Sequence, residues 1–428
     1  MLIHNIPIGD QLTKLAIHGG EPVRKEPFPL YRDIGEEELR ELKEVIKSKQ
    51  LFRYGGTKVK KFEEEFAKFY GVRHAVACTS GTAAIHIALG ALELDAGSEV
   101  ITSPITDMGT IIPILAQNCI PIFADLDPYT YTLDPSDIEK RISEKTKAII
   151  AVHLFGYPCD MDPIMEIAEK HGLYVIEDCC QAYLAEYKGK RVGTIGHINA
   201  FSLQMSKHMT TGDGGITVTN DDELGRKARL FMDKGWVRGV PSFARTYIMF
   251  GFNYRMNELT GAVALAQLKK LPKVVEKRRV LGEKLTKLLE DLENSEYLYL
   301  PKSTKERKNS FWLYPMRVNT SKLKVTNIDF AKALSAEGIP ASAGYIGKPL
   351  YTVPYLMEKR VYGKTHCPFE CPYYGKKIEY KPGLCPTTEK ILAEIITIPI
   401  NEHFTDKDVE DIAEAVRKVT EYYAKQQP

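Results

Sequence analysis

From His74 onward, short apolar runs alternate with helical stretches, and this alternation constrains the fold more than any other feature of the chain. HAVAC (74–78), EVITS (99–103), IPIFADL (120–126), KAIIAVHLF (147–155) and LYVIEDC (173–179) read as strands. Helical spacing falls between them, over 80–92, around 108–117, and over 136–142 and 161–171. INAFSLQ (198–204) and GGITVTN (214–220) add two more strands. Seven strands, the first five alternating with helices, predict an α/β fold built on a mostly parallel, doubly wound seven-stranded sheet. Such sheets bind ligands beyond the carboxyl ends of their strands, so the residues just after each strand carry the functional question.

Two helices, over 35–50 and 57–70, precede the sheet, and one or two long Leu- and Lys-rich helices follow over 256–292. After Pro301 the pattern turns α+β, with strands at 314–318, 338–342 and 396–400 and helices at 327–337 and 405–424. The expected division is an arm and large domain over 1–275 and a small C-terminal domain over 276–428. The small domain carries a polar, aromatic insert at 355–386 without clear periodicity. A length of 428 residues fits that division at roughly 100–200 residues per domain.

Composition narrows the function classes. Lys and Arg number 58 against 56 Asp and Glu, so no net field favours nucleic acid or an anionic membrane. No stretch reaches the roughly 20 apolar residues a transmembrane helix needs, because Pro113, Gln117, Asn118 and Pro121 break the most apolar one. The first twenty residues lack a signal-peptide core. Eight scattered cysteines are too few for a disulfide framework, so free thiols in a reducing cytoplasm are expected.

Three clusters follow strands. Ser80-Gly81-Thr82 opens a helix, where free N–H groups and the dipole favour a phosphate; equally, Ser80 serves as an N-cap and nothing more. Glu177-Asp178 ends an apolar strand, placing a carboxylate to meet a metal, a ribose or a protonated ring nitrogen, or only to cap the next segment. Lys207 lies among small residues after the strand ending FSLQ, as a desolvated amine able to form a Schiff base would. A phosphate cradle, a carboxylate and an amine on one sheet edge together match the needs of pyridoxal phosphate.

In its motifs the chain resembles the DegT/StrS family of pyridoxal-phosphate aminotransferases, of the aspartate-aminotransferase fold. The resemblance runs from about Leu15 to the C-terminus. It includes FEEEFAKFYGVRHAVACTSGTAAIHIAL, VHLFGYPCDMDPI, VIEDCCQA, FSLQMSKHMTTGDGG, GFNYRMNELTGAVALAQL and ITIPI. It implies that Lys207 bonds the cofactor and later moves a proton, that Asp178 pairs with the pyridine nitrogen, and that Gln181 sits near the phenolic oxygen. Gly81, Thr82 and Ser202 would hold the phosphate, with Ser80 beside them, and Asn253 would reach the phosphate of a neighbouring subunit in a homodimer with shared sites. The family's dehydratases carry His where this chain has Lys207, which favours an aminotransferase. LAIHGGEPVRKEPFP and the Gln204/Ser206 pair resemble the aminocyclitol branch, implying glutamine or glutamate as donor and a keto-cyclitol such as scyllo-inosose, or a keto-sugar, as acceptor. A nucleotide-sugar aminotransferase and a cofactor-binding regulator without turnover are the rivals.

The chain departs from the family's pattern where an aromatic residue stacks on the cofactor. Asp107 occupies that position, so stacking falls to Met108 or to a residue elsewhere, or the ring face is more polar and Asp107 touches substrate. Gly344-Tyr345 replaces a usual His-Tyr pair. In the insert, His366, Cys367, Cys371 and Cys385 have the residue types of a zinc site. The preferred reading is an aromatic substrate lid with buried cysteines and no metal.

Overall fold

The strands pair as their apolar texture demands, each buried on both faces. In the computed structural model, which describes residues 14–239 and 245–426, all seven predicted strands form. Residues 1–13, within the stretch read as lacking a signal-peptide core, lie outside the described residues. The strands are β1 (His74–Cys78), β2 (Glu99–Thr102), β3 (Ile120–Phe123), β4 (Thr146–Val152), β5 (Tyr174–Asp178), β6 (Ile198–Ser202) and β7 (Gly215–Thr219). They lie in the order β1-β7-β6-β5-β4-β2-β3. Strands β6, β5, β4, β2 and β3 run parallel, and β7 runs antiparallel to both its neighbours. That reversal lets the segment after β6 return without a crossover helix, since antiparallel neighbours need only a short connection. Lys207 rides on this connection.

The helices preceding and filling the sheet are α1 (Glu36–Ser48), α2 (Lys58–Tyr70), α3 (Gly81–Leu92), α4 (Met108–Ala116), α5 (Pro135–Arg141), α6 (Met161–His171) and α7 (Asp222–Met232). The last of these falls where the sequence pattern had shown no helix. Helix α3 is apolar on all sides, and only Thr82 of its twelve residues is not buried. Gly90 admits the ring of Phe231, which a Cβ would meet at 2.2 Å. Helix α8 (Glu258–Leu288) packs on α1 and α2. From its first turn, the Glu258 carboxylate accepts the N–H groups of Lys58 (2.6 Å) and Val59 (3.1 Å), capping α2 from outside.

The small domain is an antiparallel sheet of β8 (Leu298–Tyr299), β9 (Leu313–Val318), β10 (Ser342–Ala343) and β11 (Ile395–Pro399), in the order β8-β9-β11-β10. Helices α9 (Asn327–Ala336) and α10 (Asp406–Lys425) cover it. Three findings revise the expected division. Residue 275 falls inside α8, which continues unbroken into the second core through Leu281 and Leu285. The arm grouped with the large domain packs on the small one: Leu15 joins the second core, and the buried Glu337 carboxylate accepts from Ala16 N (2.8 Å) and Val23 N (3.1 Å). The insert grouped with the small domain packs on the large one, where Phe369, Tyr374 and Tyr380 cluster with Ile111, Leu115 and Phe123.

The cysteine expectations also change. Cys367 and Cys371 form a disulfide, their Cα atoms 5.1 Å apart, and Cys385 is buried with its Sγ 3.8 Å from Phe123 O. Two of the three thiols are therefore bonded to each other rather than free, contrary to the expectation of free thiols. Among the described residues, no helix is long and apolar enough to cross a membrane.

Insert docking depends on Glu99, a buried carboxylate on β2 that accepts from Tyr374 Oη (3.0 Å) and Thr146 Oγ1 (3.1 Å), with Lys376 at 3.4 Å. Tyr374→Phe is expected to cost about 1–3 kcal/mol of unfolding free energy in urea titration, because it leaves a buried acceptor short of a donor.

Candidate active site

The carboxyl ends of β1, β5 and β6 converge with the start of β7 on a cavity of about 310 Å³. Gly215 makes the convergence possible, since a Cβ there would lie 2.1 Å from Ser80 O. Helix α3 points its first turn at the cavity. Ser80 is its N-cap, accepting from Ala83 N at 3.0 Å. The N–H groups of Gly81 and Thr82 have no protein acceptor among the described residues. At Gly81 a Cβ would meet Ser202 Cβ at 2.6 Å and Oγ at 2.9 Å, so only glycine brings the backbone this close to β6.

Successive residues of a strand face opposite sides of the sheet, and Glu177 and Asp178 do so. Asp178 lines the cavity. Its Oδ2 accepts from Thr110 Oγ1 at 2.8 Å and its Oδ1 from Cys180 N at 3.1 Å. Thr110 is itself hydrogen-bonded to Thr106 at 2.7 Å. Glu177 faces away, fully buried, and accepts from His153 Nε2 (3.0 Å) and the N–H groups of Gly193 (2.8 Å), Ile195 (2.7 Å) and Gly196 (2.6 Å). Burial alone would push its carboxyl up, but His153 and these amides hold it below the usual range.

Lys207 enters from the opposite side. Burial lowers its amine below the ordinary lysine range, against the pull of Asp178 and Asp107. Its Nζ lies 4.0 Å from the centroid of the Trp312 ring. The backbone before it is held on both sides: Arg32 donates to Met205 O and Ser206 O (both 2.9 Å), and Trp312 Nε1 donates to Ser206 O (2.8 Å). Gln181 accepts from Phe155 N (2.8 Å) and donates to Tyr345 Oη (3.1 Å).

Of the residues singled out in the sequence, Ser80, Gly81, Thr82, Asp107, Asp178, Gln181, Ser202 and Lys207 line this one cavity. Met108 does not. It is the first residue of α4, one helical step past Asp107, and packs into the cluster of Ile111 and Tyr351 under the insert. Asp107 is the N-cap of α4, accepting from Gly109 N at 2.7 Å, and is exposed at the cavity mouth. Asn253 is exposed outside its own chain's cavity. No residue of the insert lines the cavity, so the lid reading gives way to a buttress under α4. Thr106, Thr110, Cys180, Asp213, Trp312 and Tyr345 also line it. Thr110 was legible as a hydroxyl one turn into a helix at the ligand edge; Tyr345, noted above in place of the usual His-Tyr pair, reaches the cavity from the other domain, as does Trp312, which nothing local marks.

The sequence pattern of the DegT/DnrJ/EryC1/StrS aminotransferase family matches residues 32–370 and 368–417. The chain belongs to this family. It is 31% identical over 432 residues to the L-glutamine:2-deoxy-scyllo-inosose aminotransferase of Streptomyces kanamyceticus, covering 97% of this chain and 98% of that one. It is 36% identical over 303 residues to the GDP-perosamine synthase of Caulobacter vibrioides, covering 70% and 78%. An aminotransferase structure from Psychrobacter cryohalolentis superposes with a TM-score of 0.81 at 29% identity, over 91% of this chain and 98% of that one. The protein is thus a sugar or aminocyclitol aminotransferase of a pyridoxal-phosphate-dependent family.

In this aminotransferase, Thr110→Val keeps the shape of α4 and removes the donor to Asp178 Oδ2. Turnover is expected to fall about tenfold or more as Asp178 loses its orienting donor, and the melting temperature to drop by a few degrees, because a buried carboxylate short of a partner costs about 1–3 kcal/mol. Steady-state kinetics and thermal melts check both halves.

Proposed function

We propose that the chain binds pyridoxal phosphate in this cavity and transfers an amino group from glutamine or glutamate to a keto-cyclitol of the scyllo-inosose type or a related keto-sugar. The observation that carries this reading is the meeting of the Lys207 amine and the Asp178 carboxylate in one cavity with the open donors of α3. The residues fit the cofactor. Gly81, Thr82 and Ser202 would hold its phosphate, Asp178 its ring nitrogen, Gln181 its phenolic oxygen and Lys207 its aldehyde carbon. When bound, pyridoxal phosphate supplies the electron sink that carries an amino group between donor and acceptor.

The chain's own groups do the rest. Burial lowers the Lys207 amine below the ordinary lysine range, which makes the neutral form that takes and returns a proton easier to reach. Thr110 and the Cys180 amide orient Asp178, and the Gln181–Tyr345 hydrogen bond fixes the amide of Gln181. Asn253, exposed and away from its own cavity, fits a role across a dimer interface, and a homodimer with shared sites is part of the proposal.

The charge of the cavity favours an uncharged polyol over a nucleotide-linked sugar. Lys207 is the one cation among the described residues that line it, beside Asp107, Asp178 and Asp213. A diphosphate would meet carboxylates with no spare guanidinium to offset them, whereas hydroxyls of a cyclitol can donate to Asp107 and Asp213. Glutamine:inosose and perosamine-forming relatives at similar identity keep both acceptor classes in the family.

Lys207→Ala is expected to abolish the visible absorbance of the bound cofactor and to lower turnover by about a thousandfold or more; normal transamination by this variant sinks the assignment. With the cofactor in its amine form, a panel of keto-cyclitols and nucleotide-linked keto-sugars is expected to restore the aldehyde spectrum with the cyclitols. Restoration by nucleotide-linked sugars alone would reverse the acceptor preference.

A further inference from the structure

Trp312 sits at the seam between the two domains, one residue before β9, and three contacts fix its indole. Its backbone N–H donates to Phe155 O at 2.9 Å, and its Nε1–H donates to Ser206 O at 2.8 Å. Tyr345 meets the ring edge-on, with centroids 6.2 Å apart and planes at 85°. The buried Phe311 before it takes a positive φ of 48°, a backbone conformation that persists in a non-glycine residue only where surroundings enforce it.

The face of this fixed indole carries the Lys207 amine at 4.0 Å. Ser206, which accepts the indole N–H, directly precedes Lys207. One side chain therefore grips both the backbone beside the lysine and the amine at its end. The other groups around the amine pull in both directions. Asp178 at the end of β5 and Asp107 at the start of α4 favour the ammonium, and the exposed Asp213 lines the same cavity. Arg32, bonded to the Ser206 carbonyl, opposes it. Burial pushes the Cys180 thiol and the Tyr345 hydroxyl up and the His208 imidazole down, so all three are neutral near pH 7.

We infer that Trp312 is a positioning residue whose indole face seats the Lys207 ammonium whenever that amine is not bonded to the cofactor. The inference rests on the reading of Lys207 as the reactive amine. A lysine side chain released during turnover has many rotamers and must return to one place. A carboxylate would hold it there but would also anchor its charge. An aromatic face holds a cation through its quadrupole, more weakly and without accepting a proton, so the amine can leave again.

The chain has two tryptophans, so Trp236→Phe leaves Trp312 as the sole indole emitter. In full-length protein freed of cofactor, Trp312 emission is expected to titrate from neutral to alkaline pH as the neighbouring ammonium loses its proton. Adding Lys207→Met is expected to remove that titration. In a second measurement, trinitrobenzenesulfonate modification of Lys207 is followed against pH by peptide mass mapping. Trp312→Leu is expected to lower its midpoint by about one pH unit, since the charged form loses its seat, with Trp312→Phe in between. An emission curve unchanged by Lys207→Met, or a midpoint unchanged by Trp312→Leu, overturns the inference. Neither measurement uses turnover, so the seat can fail while Lys207→Ala stays inactive and the assignment of Lys207 stands.

Discussion

Glu177 holds a charge in the middle of the fold, and the geometry of the site follows from how that charge is satisfied. A buried carboxylate costs several kcal/mol unless its lone pairs are met. Four donors meet this one, three of them backbone N–H groups from residues 193–196. That loop must therefore wrap under β5, and Gly196 lets it, because a Cβ there would lie 2.6 Å from Asn199 Oδ1. Asn199 closes the wrap, accepting from Glu177 N (3.0 Å) and donating to Gly193 O (2.8 Å). The register of β5 against β6 is thereby set, with Asp178 opposite Ala200 and Ser202 just beyond. His153 accepts from Cys159 N on Nδ1 (3.0 Å), which places its proton on Nε2 toward Glu177. Its own backbone N–H donates to Asp178 O (3.1 Å). The carboxylate that faces the chemistry is aimed by the neighbour that does not.

The seam between the domains is held differently, by backbone in sparsely populated conformations. Phe155, Phe311 and Tyr345 all have positive φ, at 58°, 48° and 48°. Each costs on the order of 1–3 kcal/mol at a residue with a side chain. They are tied together: Trp312 N donates to Phe155 O, Ser310 N to Gly156 O, Phe155 N to Gln181, and Gln181 to Tyr345. Phe155 and Tyr345 also pack edge-on, 4.8 Å apart. The small domain thus reaches the cavity through two aromatic residues, both fixed to the same strap of the large one. Displacing either domain would break this circuit at several points at once.

The parts of this structure written in local pattern were legible in the sequence. The seven strands, the helix opening at Gly81, the carboxylate at the end of β5 and the amine after β6 all follow from periodicity and from the rule that ligands meet strand ends. Helix α7 follows β7 after two residues, and its spacing is helical, with Leu224, Ala228 and Phe231 on the buried face, although the expectation had no helix there. The division expected at 275 falls inside α8. A helix with apolar positions along two faces joins two cores without any change of composition, so α8 carries no boundary signal. Trp312, the bond from Gln181 to Tyr345 and the docking of the insert were illegible because each depends on contacts over more than a hundred residues. Met108, offered as one source of stacking, packs instead against the cluster under the insert, because it lies one helical step past Asp107 on α4.

The balance at Lys207 is decided by unequal screening of the charges around it. Asp107 is exposed, so its attraction for the amine acts through solvent and counts for little. Asp178 is buried, but Thr110 and the Cys180 amide already share its charge. Arg32 spends its guanidinium on the carbonyls before Lys207 and on Glu402, 3.8 Å away, rather than on the cavity. What remains is desolvation, which favours the neutral amine, and the indole face, which favours the ammonium without a proton-accepting site of its own. The two effects oppose each other, and burial sets the net direction, lowering the amine below the ordinary lysine range. On the proposed reading of Lys207 as the reactive amine, a strong ion pair would oppose that direction, and none is made to it by Asp178 or Asp107.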